Sequence, residues 1–478
     1  MEAHERAVAA IAQRVKTLYE QRTLMRIRSS TAAASARPVS VPDAGIVDTS
    51  ALNRILHIDR GRQTALVEPH VTMAQLVEAT LAHDLIPAVV PSFPSITVGD
   101  SFSATAAESS SFRHGFFAST VTRCDLILGN GSIARASPSS LADLLRAAAG
   151  ALGTLGIPTL LEVRLVPAAR NVELTCLPTT NATETTDLLA TCCAEPFDYV
   201  DGIQLAATRG VVLLGRITHQ RNHALRRFAR ARDPWLFEHA GKVAAAAAAT
   251  RDGNGGGGGG TTETVPLRDF LFRYERGAFW VGAHLLTPLL GRATRFLLDP
   301  RTQARRLHAA LRRGGPAERF VVQDVTVPAE AAAKFVEFVN RGVGVYPLWL
   351  CPVRADAHLF LHDWPTKPKL LMNLGIWGPG RRPYGASDAE HARFVTDNRA
   401  LEQRAKEIGG RKWLYGETFL DASEFGDLYD LEEYNSLRKT YLAELWPSVY
   451  DAMQDRQDDE PSQPFRGVVK AVNLLVKK

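Results

Sequence analysis

Apolar residues recur at three- and four-residue spacing through Ala7–Glu20, which predicts an amphipathic helix. Beyond it the period shortens. Ile55–Asp59 and Thr64–Glu68 read as two strands joined by the tight turn Arg60-Gly61-Arg62-Gln63, and Pro69 closes the pair. Thr72 is placed to cap a helix carrying Met73, Leu76, Val77 and Leu81 on one face. Pro87, Pro91 and Pro94 then space an extended connection. Cys124–Leu128 and Ser132–Ala136 predict a hairpin about Gly129-Asn130-Gly131, where Asn-Gly suits a type I′ turn. A helix over Leu141–Ala149, a glycine-bracketed turn over Gly153–Ile157 and a strand over Leu160–Val166 follow, the strand ending at Pro167.

From about residue 170 the texture changes. Val211–Ile217, Val321–Val327 and Lys369–Trp377 have strand patterns, and Arg221–Ala231, Ala329–Arg341 and Asp388–Ile408 have helical ones. Ala244–Thr262, rich in alanine and then glycine, reads as a flexible surface loop. Aromatic density rises after Arg411, with Trp413, Tyr415, Phe419, Phe425, Tyr429, Tyr434, Tyr441, Trp446 and Tyr450. The basic, apolar stretch Pro461–Lys478 suits a docked helix or a weak membrane-surface contact. The pattern predicts an α+β protein with parts at 1–168, 169–410 (holding the loop 244–262) and 411–478. No GxGxxG follows a strand and no GxxxxGK[ST] occurs, so Rossmann and P-loop readings find no support.

Composition narrows the function classes. Apolar content of 45% and charged content of 22% are ordinary globular values. A net charge of +5 over 478 residues, with no basic run interleaved with aromatics, gives no case for nucleic acid, and no nucleic-acid partner is expected. Five cysteines with no CxxC spacing fit a reducing compartment and neither a disulfide framework nor a zinc site. His358 and His362 sit in an alternating strand-like context with no third ligand nearby, so no metal is expected. The N-terminus is charged and helical rather than a secretory signal, and no run of 18 apolar residues suggests a span. A cytoplasmic protein is expected on these grounds, and the resemblance given below implies one that could instead be peripheral at the endoplasmic reticulum membrane.

Candidate chemistry concentrates in residues 97–115, T-V-G-D-S-F-S-A-T-A-A-E-S-S-S-F-R-H-G. Small and hydroxylic side chains bury too little apolar area to build a core. They do let backbone lie against a flat ligand while hydroxyls and amides donate to its oxygens. A polar loop with a short Ala/Ser helix is the alternative. Arg28–Arg37 is a second small-residue, hydroxyl-bearing stretch.

The order of these pieces resembles a known family. Val67-Glu68-Pro69 before a helix, Thr97-Val98-Gly99, Glu108-Ser109-Ser110-Ser111 with Gly115, the hairpin at Gly131-Ser132, Asp143-Leu144 and Gly153-Thr154-Leu155-Gly156 carry the likeness. Together they are similar to the FAD-binding domain of the p-cresol methylhydroxylase/vanillyl alcohol oxidase superfamily, and within it to the delta-24 sterol reductases. Tyr274–Gly282, Gln323-Asp324-Val325, Pro347–Pro352, Leu414-Tyr415, Glu424-Phe425 and Tyr434 to Arg438 extend it. The chain departs where the alanine-rich Ser29–Ala36 and Asp100, Ala104 and Ala106 replace residues that are more often glycine or asparagine.

The resemblance implies a two-part FAD-binding domain of p-cresol methylhydroxylase type plus an α+β substrate (cap) domain, with the C-terminal segment packing back near the flavin. It implies cofactor contacts from Ser30, Thr31, Thr97, Val98, Gly99, Ser103, Ala104, Thr105, Glu108, Ser109, Ser110, Gly115, Gly153, Thr154, Gly156 and Ile157. Phe112 stands where the family often has His, so non-covalent FAD is implied. The family's reaction is NADPH-dependent reduction of a sterol side-chain double bond, which needs an acid, and Tyr415 and Glu417 are its candidates. Arg276 and Arg209 are candidates for an NADPH phosphate or a substrate carboxylate. The apolar substrate is a sterol or sterol-like terpenoid. An FAD-dependent oxidase or dehydrogenase of specialised metabolism acting on a terpenoid or polyketide, and a flavin-less binding scaffold, are the alternatives. Oligomeric state is not legible.

Overall fold

A computed structural model describes residues 1–28, 43–252, 260–286, 320–355, 361, 364, 368–381 and 387–454. Ser30, Thr31, His358, His362 and the stretch Pro461–Lys478 lie outside the described residues.

The first helix spans Glu2–Glu20, longer than its apolar pattern, and buries Val8, Ile11, Val15 and Leu18. His4 extends that buried stripe because its Nδ1 meets the Glu68 carboxylate at 2.9 Å. Strands β1 (Arg26–Arg28) and β2 (Ile46–Asp48) form a parallel pair.

A six-stranded sheet follows, built from β3 (Ile55–Asp59), β4 (Thr64–Val67), β5 (Leu85–Pro87), β6 (Val121–Ile127), β7 (Ile133–Ala136) and β8 (Ile157–Pro167). Its order is β3-β4-β8-β6-β7, with β5 also on β8. The helix Met73–Leu81 starts where expected because Thr72 and Gln75 form a reciprocal capping box.

Two local expectations change. Asn130 is not left-handed, so the hairpin turn is not type I′. Instead Gly131 donates to the Leu128 carbonyl and itself takes φ 84°, while Asn130 Oδ1 accepts from Ser132 N at 3.0 Å. Ile157 belongs to β8 rather than to a turn, since it pairs with Ile127.

Residues 168–170 lead into an eight-stranded, wholly antiparallel sheet. It comprises β9 (Asn171–Thr179), β10 (Tyr199–Ala206), β11 (Arg209–Thr218), β12 (Thr261–Pro266), β13 (Val321–Pro328), β14 (Leu348–Arg354), β15 (Leu370–Gly378) and β16 (Arg411–Lys412). The order is β12-β9-β11-β10-β14-β15-β13-β16. Both faces are buried, so alternate residues enter different cores. Val200, Val212, Leu214, Val325, Leu350, Leu374 and Ile376 meet helices Ala182–Cys192, Ala332–Arg341 and Asp388–Glu407. Ile203, Leu213, Leu174, Trp349, Cys351 and Leu371 join the core shared with the six-stranded sheet.

The segment 221–231 is not helical. Leu225 bridges Thr264 in parallel, Arg226 N donates to the Thr264 carbonyl and Thr264 N to the Ala224 carbonyl. Pairing with the edge strand β12 outweighs the helical pattern. The alanines expected in a loop belong to the helix Leu236–Asp252, with Ala244 and Ala247 buried. Alanine has the highest helix propensity, so a run of it beside a core continues the helix. Thr261 and Thr262 lie in β12.

The C-terminal part reaches back to the first sheet. Tyr434 OH lies 2.5 Å from Thr154 Oγ1, Arg438 donates to the Thr154 carbonyl at 3.0 Å, and Tyr441 OH donates to Asp143 at 2.7 Å.

Candidate active site

The helix Val98–Ser103 opens on a capping box in which Thr97 and Asp100 bond each other's backbone N–H. Asp100 therefore turns its carboxylate toward its own helix start. Val98 N donates to the Val71 carbonyl, Gly99 N to the Pro69 carbonyl at 2.8 Å, and Asp100 N to Thr97 Oγ1 at 3.1 Å. These amides are occupied within the protein, so Thr97, Val98 and Gly99 do not form an open anion cradle. Gly99 is glycine for packing, because a Cβ there would sit 2.7 Å from the Pro69 Cβ.

Past that helix the picture opens. Thr105 is left-handed at φ 57°, and its fully buried Oγ1 has no hydrogen-bond partner. Such an orphaned hydroxyl fits a bound polar ligand. Ser103 and Ala104 beside it are only half-buried. Gly115, at φ 74° and ψ −157°, holds a backbone conformation that is essentially glycine's alone. Gly150 N donates to the Phe102 carbonyl and Leu152 N to the Ser103 carbonyl, which draws the turn at Gly153 against this stretch. Ser103, Ala104, Thr105, Gly115 and Gly153 thus fit a bound FAD. Thr154 is instead fully bonded, to the Ala151 carbonyl and Tyr434. Gly156 is pressed on the Ile127 carbonyl, 2.8 Å from where a Cβ would lie.

Glu108, Ser109 and Ser110 form a joint. Ser110 Oγ donates to the Ala88 carbonyl at 2.9 Å, and Val200 N donates to the Ser109 carbonyl at 2.8 Å. Arg273 Nη2 donates to Glu108 Oε1 (2.9 Å), Ser109 Oγ (3.0 Å) and Asp201 Oδ2 (3.0 Å). Tyr274 OH and Trp349 Nε1 also reach Asp201 Oδ2, at 2.7 and 3.1 Å. Arg273, Glu108 and Asp201 are at most 3% exposed, so two carboxylates share one cation away from water. Burial raises the Glu108 pKa, and the Arg273 charge opposes the rise.

The eight-stranded sheet presents an aromatic face to the same core. Ile203, Trp349, Gly375 and Asp324 stand opposite one another across β10, β14, β15 and β13. Trp377, two residues on from Gly375, stacks with Trp349 at 5.9 Å and packs on Phe279 at 4.4 Å. Phe279 stacks on Tyr274 at 4.1 Å from a turn in which Gly277, Ala278 and Phe279 all have positive φ.

Asp324 is 2% exposed. It accepts from Trp377 Nε1 at 3.0 Å, from Asn373 Nδ2 at 2.8 Å and from Tyr415 OH. Burial pushes its carboxyl up to about 6 despite these donors and the Lys412 charge. Tyr415 is part-buried, and Trp413, which packs on it at 6.4 Å, meets Phe116 beside Gly115 at 5.8 Å. Glu417 is exposed where Tyr415 is part-buried, and its backbone carbonyl accepts from Lys412 Nζ.

Arg276 is a structural clamp, donating to the carbonyls of Phe228, Ala231 and Asp233, and Arg209 is exposed. Sequence reasoning assigned no role to Asp201, Arg273, Asp324 or Trp377. A signal was present in V-V-Q-D-V-T-V, where polar residues interrupt an otherwise apolar buried strand. Among the described residues no group of His, Cys, Asp or Glu is arranged to hold a metal, and no helix is long and apolar enough to cross a membrane.

Gly375 makes this face possible. A Cβ there would lie 2.4 Å from the Trp377 indole. Gly375→Ala is expected to cost about 1–3 kcal/mol and to displace Trp377 from Asp324. Urea unfolding and the near-ultraviolet circular dichroism of the tryptophans would check both.

Residues 5–137 match the FAD binding domain family. The chain is 26% identical to human Delta(24)-sterol reductase over 413 residues, covering 83% of this chain and 75% of the human protein. It is 27% identical to the Arabidopsis thaliana Delta(24)-sterol reductase, over 83% of this chain and 74% of that protein. A shorter match, 34% identity over 36% of the chain and 35% of the relative, is to rice Cytokinin dehydrogenase 7. The chain carries an FAD binding domain and is similar over most of its length to the Delta(24)-sterol reductases.

Proposed function

We propose that this protein reduces the isolated side-chain double bond of a sterol or sterol-like terpenoid, with NADPH as the electron source and non-covalent FAD between them. The observation that carries the reading is the aromatic face of Trp349, Trp377 and Phe279, which ends at Tyr415 and shares a core with the flavin segment. An apolar substrate needs such a wall, and an unactivated alkene needs an acid beside it.

Residues 1–168 form the flavin unit in this reading, 169–410 the substrate unit, and 411–478 the C-terminal segment that packs back near the flavin. Ser103, Ala104, Thr105, Gly115 and Gly153 hold the cofactor, with Ser30 and Thr31 adding phosphate contacts. Thr97, Val98, Gly99, Glu108, Ser109, Ser110, Thr154, Gly156 and Ile157 brace that cradle from behind. Bound FAD, once reduced, supplies hydride. Tyr415 supplies the proton to the less substituted alkene carbon, where a tertiary cation then develops beside it. The aromatic wall excludes water from that carbon and stabilises positive charge through ring faces. Phe112 lies in the core on the far face of the sheet, which supports a non-covalent flavin. A contact with the endoplasmic reticulum membrane surface would suit the substrate.

Reconstitution with FAD is expected to give a flavin absorbance near ~450 nm that NADPH bleaches without oxygen and a delta-24 sterol restores. Indifference to NADPH with slow turnover by oxygen would instead favour an FAD-dependent dehydrogenase or oxidase, the reading supported by the cytokinin dehydrogenase match. Failure to take up FAD would leave a binding scaffold.

A further inference from the structure

We propose that Asp324 is the proton reservoir for Tyr415, the two forming a relay in which a buried carboxylic acid resupplies the phenol that protonates the alkene. The proposal rests on the reductase reading above and adds a residue, a direction of proton flow and a pH dependence to it.

The geometry separates Asp324 from the other buried acids. Glu108 and Asp201 are paired with Arg273, and Glu402 with Lys412 at 2.8 Å. Among the described residues only neutral donors bond Asp324: Tyr415 and Trp377 on Oδ2, Asn373 on Oδ1. A carboxylate kept for structure is normally matched to a cation, because an uncompensated buried charge is costly. A carboxyl that cycles between its two forms is better served by neutral partners. Tyr415 is the less enclosed member of the pair, part-buried where Asp324 is 2% exposed, and its phenol oxygen lies on the carboxyl.

The groups that bear on Asp324 come from three directions. Tyr415 lies on the segment after β16. Lys412 on β16 lowers the Asp324 pKa, but it donates to Gln323 and Glu402 on the other side of the sheet and is neutralised there. Asn373 and Trp377 on β15 carry no charge. Burial outweighs all of these and leaves the carboxyl near 6, so protonated and ionised forms exchange close to neutrality. The Tyr415 phenol is held well above its ordinary value by burial and by the Asp324 charge, and stays neutral.

The step balances as follows. The alkene π pair takes the Tyr415 proton, forming one C–H bond as the phenol O–H breaks. The Asp324 O–H proton moves to the phenol oxygen, leaving a carboxylate. The carbon cation accepts two electrons as hydride from a reduced flavin, which is oxidised as the alkene is reduced. Asp324 then regains a proton from solvent. In the ionised form Tyr415 points its only proton at Asp324 and has none for the substrate, so the step requires the carboxylic acid.

The test uses the FAD-loaded full chain, reduced by NADPH without oxygen and mixed with a delta-24 sterol, with flavin reoxidation followed across pH. Wild-type reoxidation is expected to fall about tenfold per pH unit above the Asp324 pKa. Asp324→Asn is expected to flatten that limb. Tyr415→Phe is expected to slow reoxidation by about 10²–10⁴-fold, the range a general acid contributes. Far-ultraviolet circular dichroism and flavin bleaching by NADPH identify a misfolded variant. Infrared difference spectra of wild type and Asp324→Asn supply a reading independent of turnover: a carboxylic-acid carbonyl band that vanishes as pH rises through about 6 and is missing from the variant. An Asp324→Asn enzyme that keeps the wild-type pH limb, or a wild type without the band, overturns the relay and leaves the reductase reading standing. Wild-type reduced flavin that no sterol alkene reoxidises overturns the reductase reading itself, whatever the infrared band shows.

Discussion

Replacing Arg273 with methionine is expected to lower the free energy of unfolding by about 3–5 kcal/mol, because it strands two buried carboxylates without their shared cation. Glu108 and Asp201 both lie on Nη2 of this one side chain, and Asp201 Oδ1 already has no hydrogen-bond partner. Methionine fills much of the volume, so the effect isolates charge rather than a cavity. The pH dependence follows from Glu108. Its folded pKa is raised above its unfolded value, and losing the arginine raises it further. A raised carboxyl contributes stability below the unfolded pKa and loses it as pH rises through the folded one. The deficit of the variant should therefore be larger at alkaline than at mildly acidic pH. Urea unfolding followed by tryptophan fluorescence at the two pH values checks this, and adding Glu108→Gln and Asp201→Asn should recover part of the loss. An equal deficit at both pH values would assign Arg273 to packing alone. The same variant should loosen the flavin segment, since Ser109 is held to β10 beside this triad.

Gly129→Ala is the second large effect expected. A Cβ at this position would lie 1.6 Å from the Leu442 carbonyl oxygen and 2.6 Å from its carbon. Both are backbone atoms, so no rotamer change relieves the clash. The turn at Leu442, itself left-handed at φ 57°, must move off the β6–β7 hairpin. Overpacking of this kind costs about 1–3 kcal/mol, and more where backbone meets backbone. The consequence reaches the cofactor cradle. Tyr441 would be drawn away from Asp143, and Arg438 and Tyr434 from Thr154, next to Gly153. The variant should be cleaved faster by protease after Arg438, and should retain less FAD on gel filtration, read as flavin absorbance against protein absorbance. Unchanged flavin retention would show that the C-terminal segment packs near the cradle without supporting it.

Much of this architecture was legible in the chain. Local patterns located strands β3, β4, β6, β7, β11, β13 and β15 and the helices Met73–Leu81 and Asp388–Glu407, because each has a local signal: alternation, helical spacing, a capping residue or a turn. The segment 221–231 was misread for a local reason as well. Its helical spacing is real, but the free edge of β12 offers backbone partners that no local pattern reveals. The alanine run was misread in the other direction, its bias suggesting a loop although alanine favours helix.

The candidate site was legible by segment and not by role. Small residues at 97–115 marked a stretch that cannot form a core, and this holds whatever the rest of the chain does. Which of its groups remain available to a ligand depends on partners far away in sequence. Gly99 is occupied by Pro69, Thr154 by Tyr434 and Ser109 by Arg273, while Thr105 is left without a partner. Asp324 and Tyr415 lie 91 residues apart and meet only because β16 pairs with β13. Local propensity, periodicity and the family resemblance are properties of neighbouring residues, and the sequence by itself determined them. Desolvation and hydrogen-bond pairing set the charge state of Asp324 and leave the Thr105 hydroxyl without a partner. Both depend on what packs from outside the segment, so only the tertiary structure decided them.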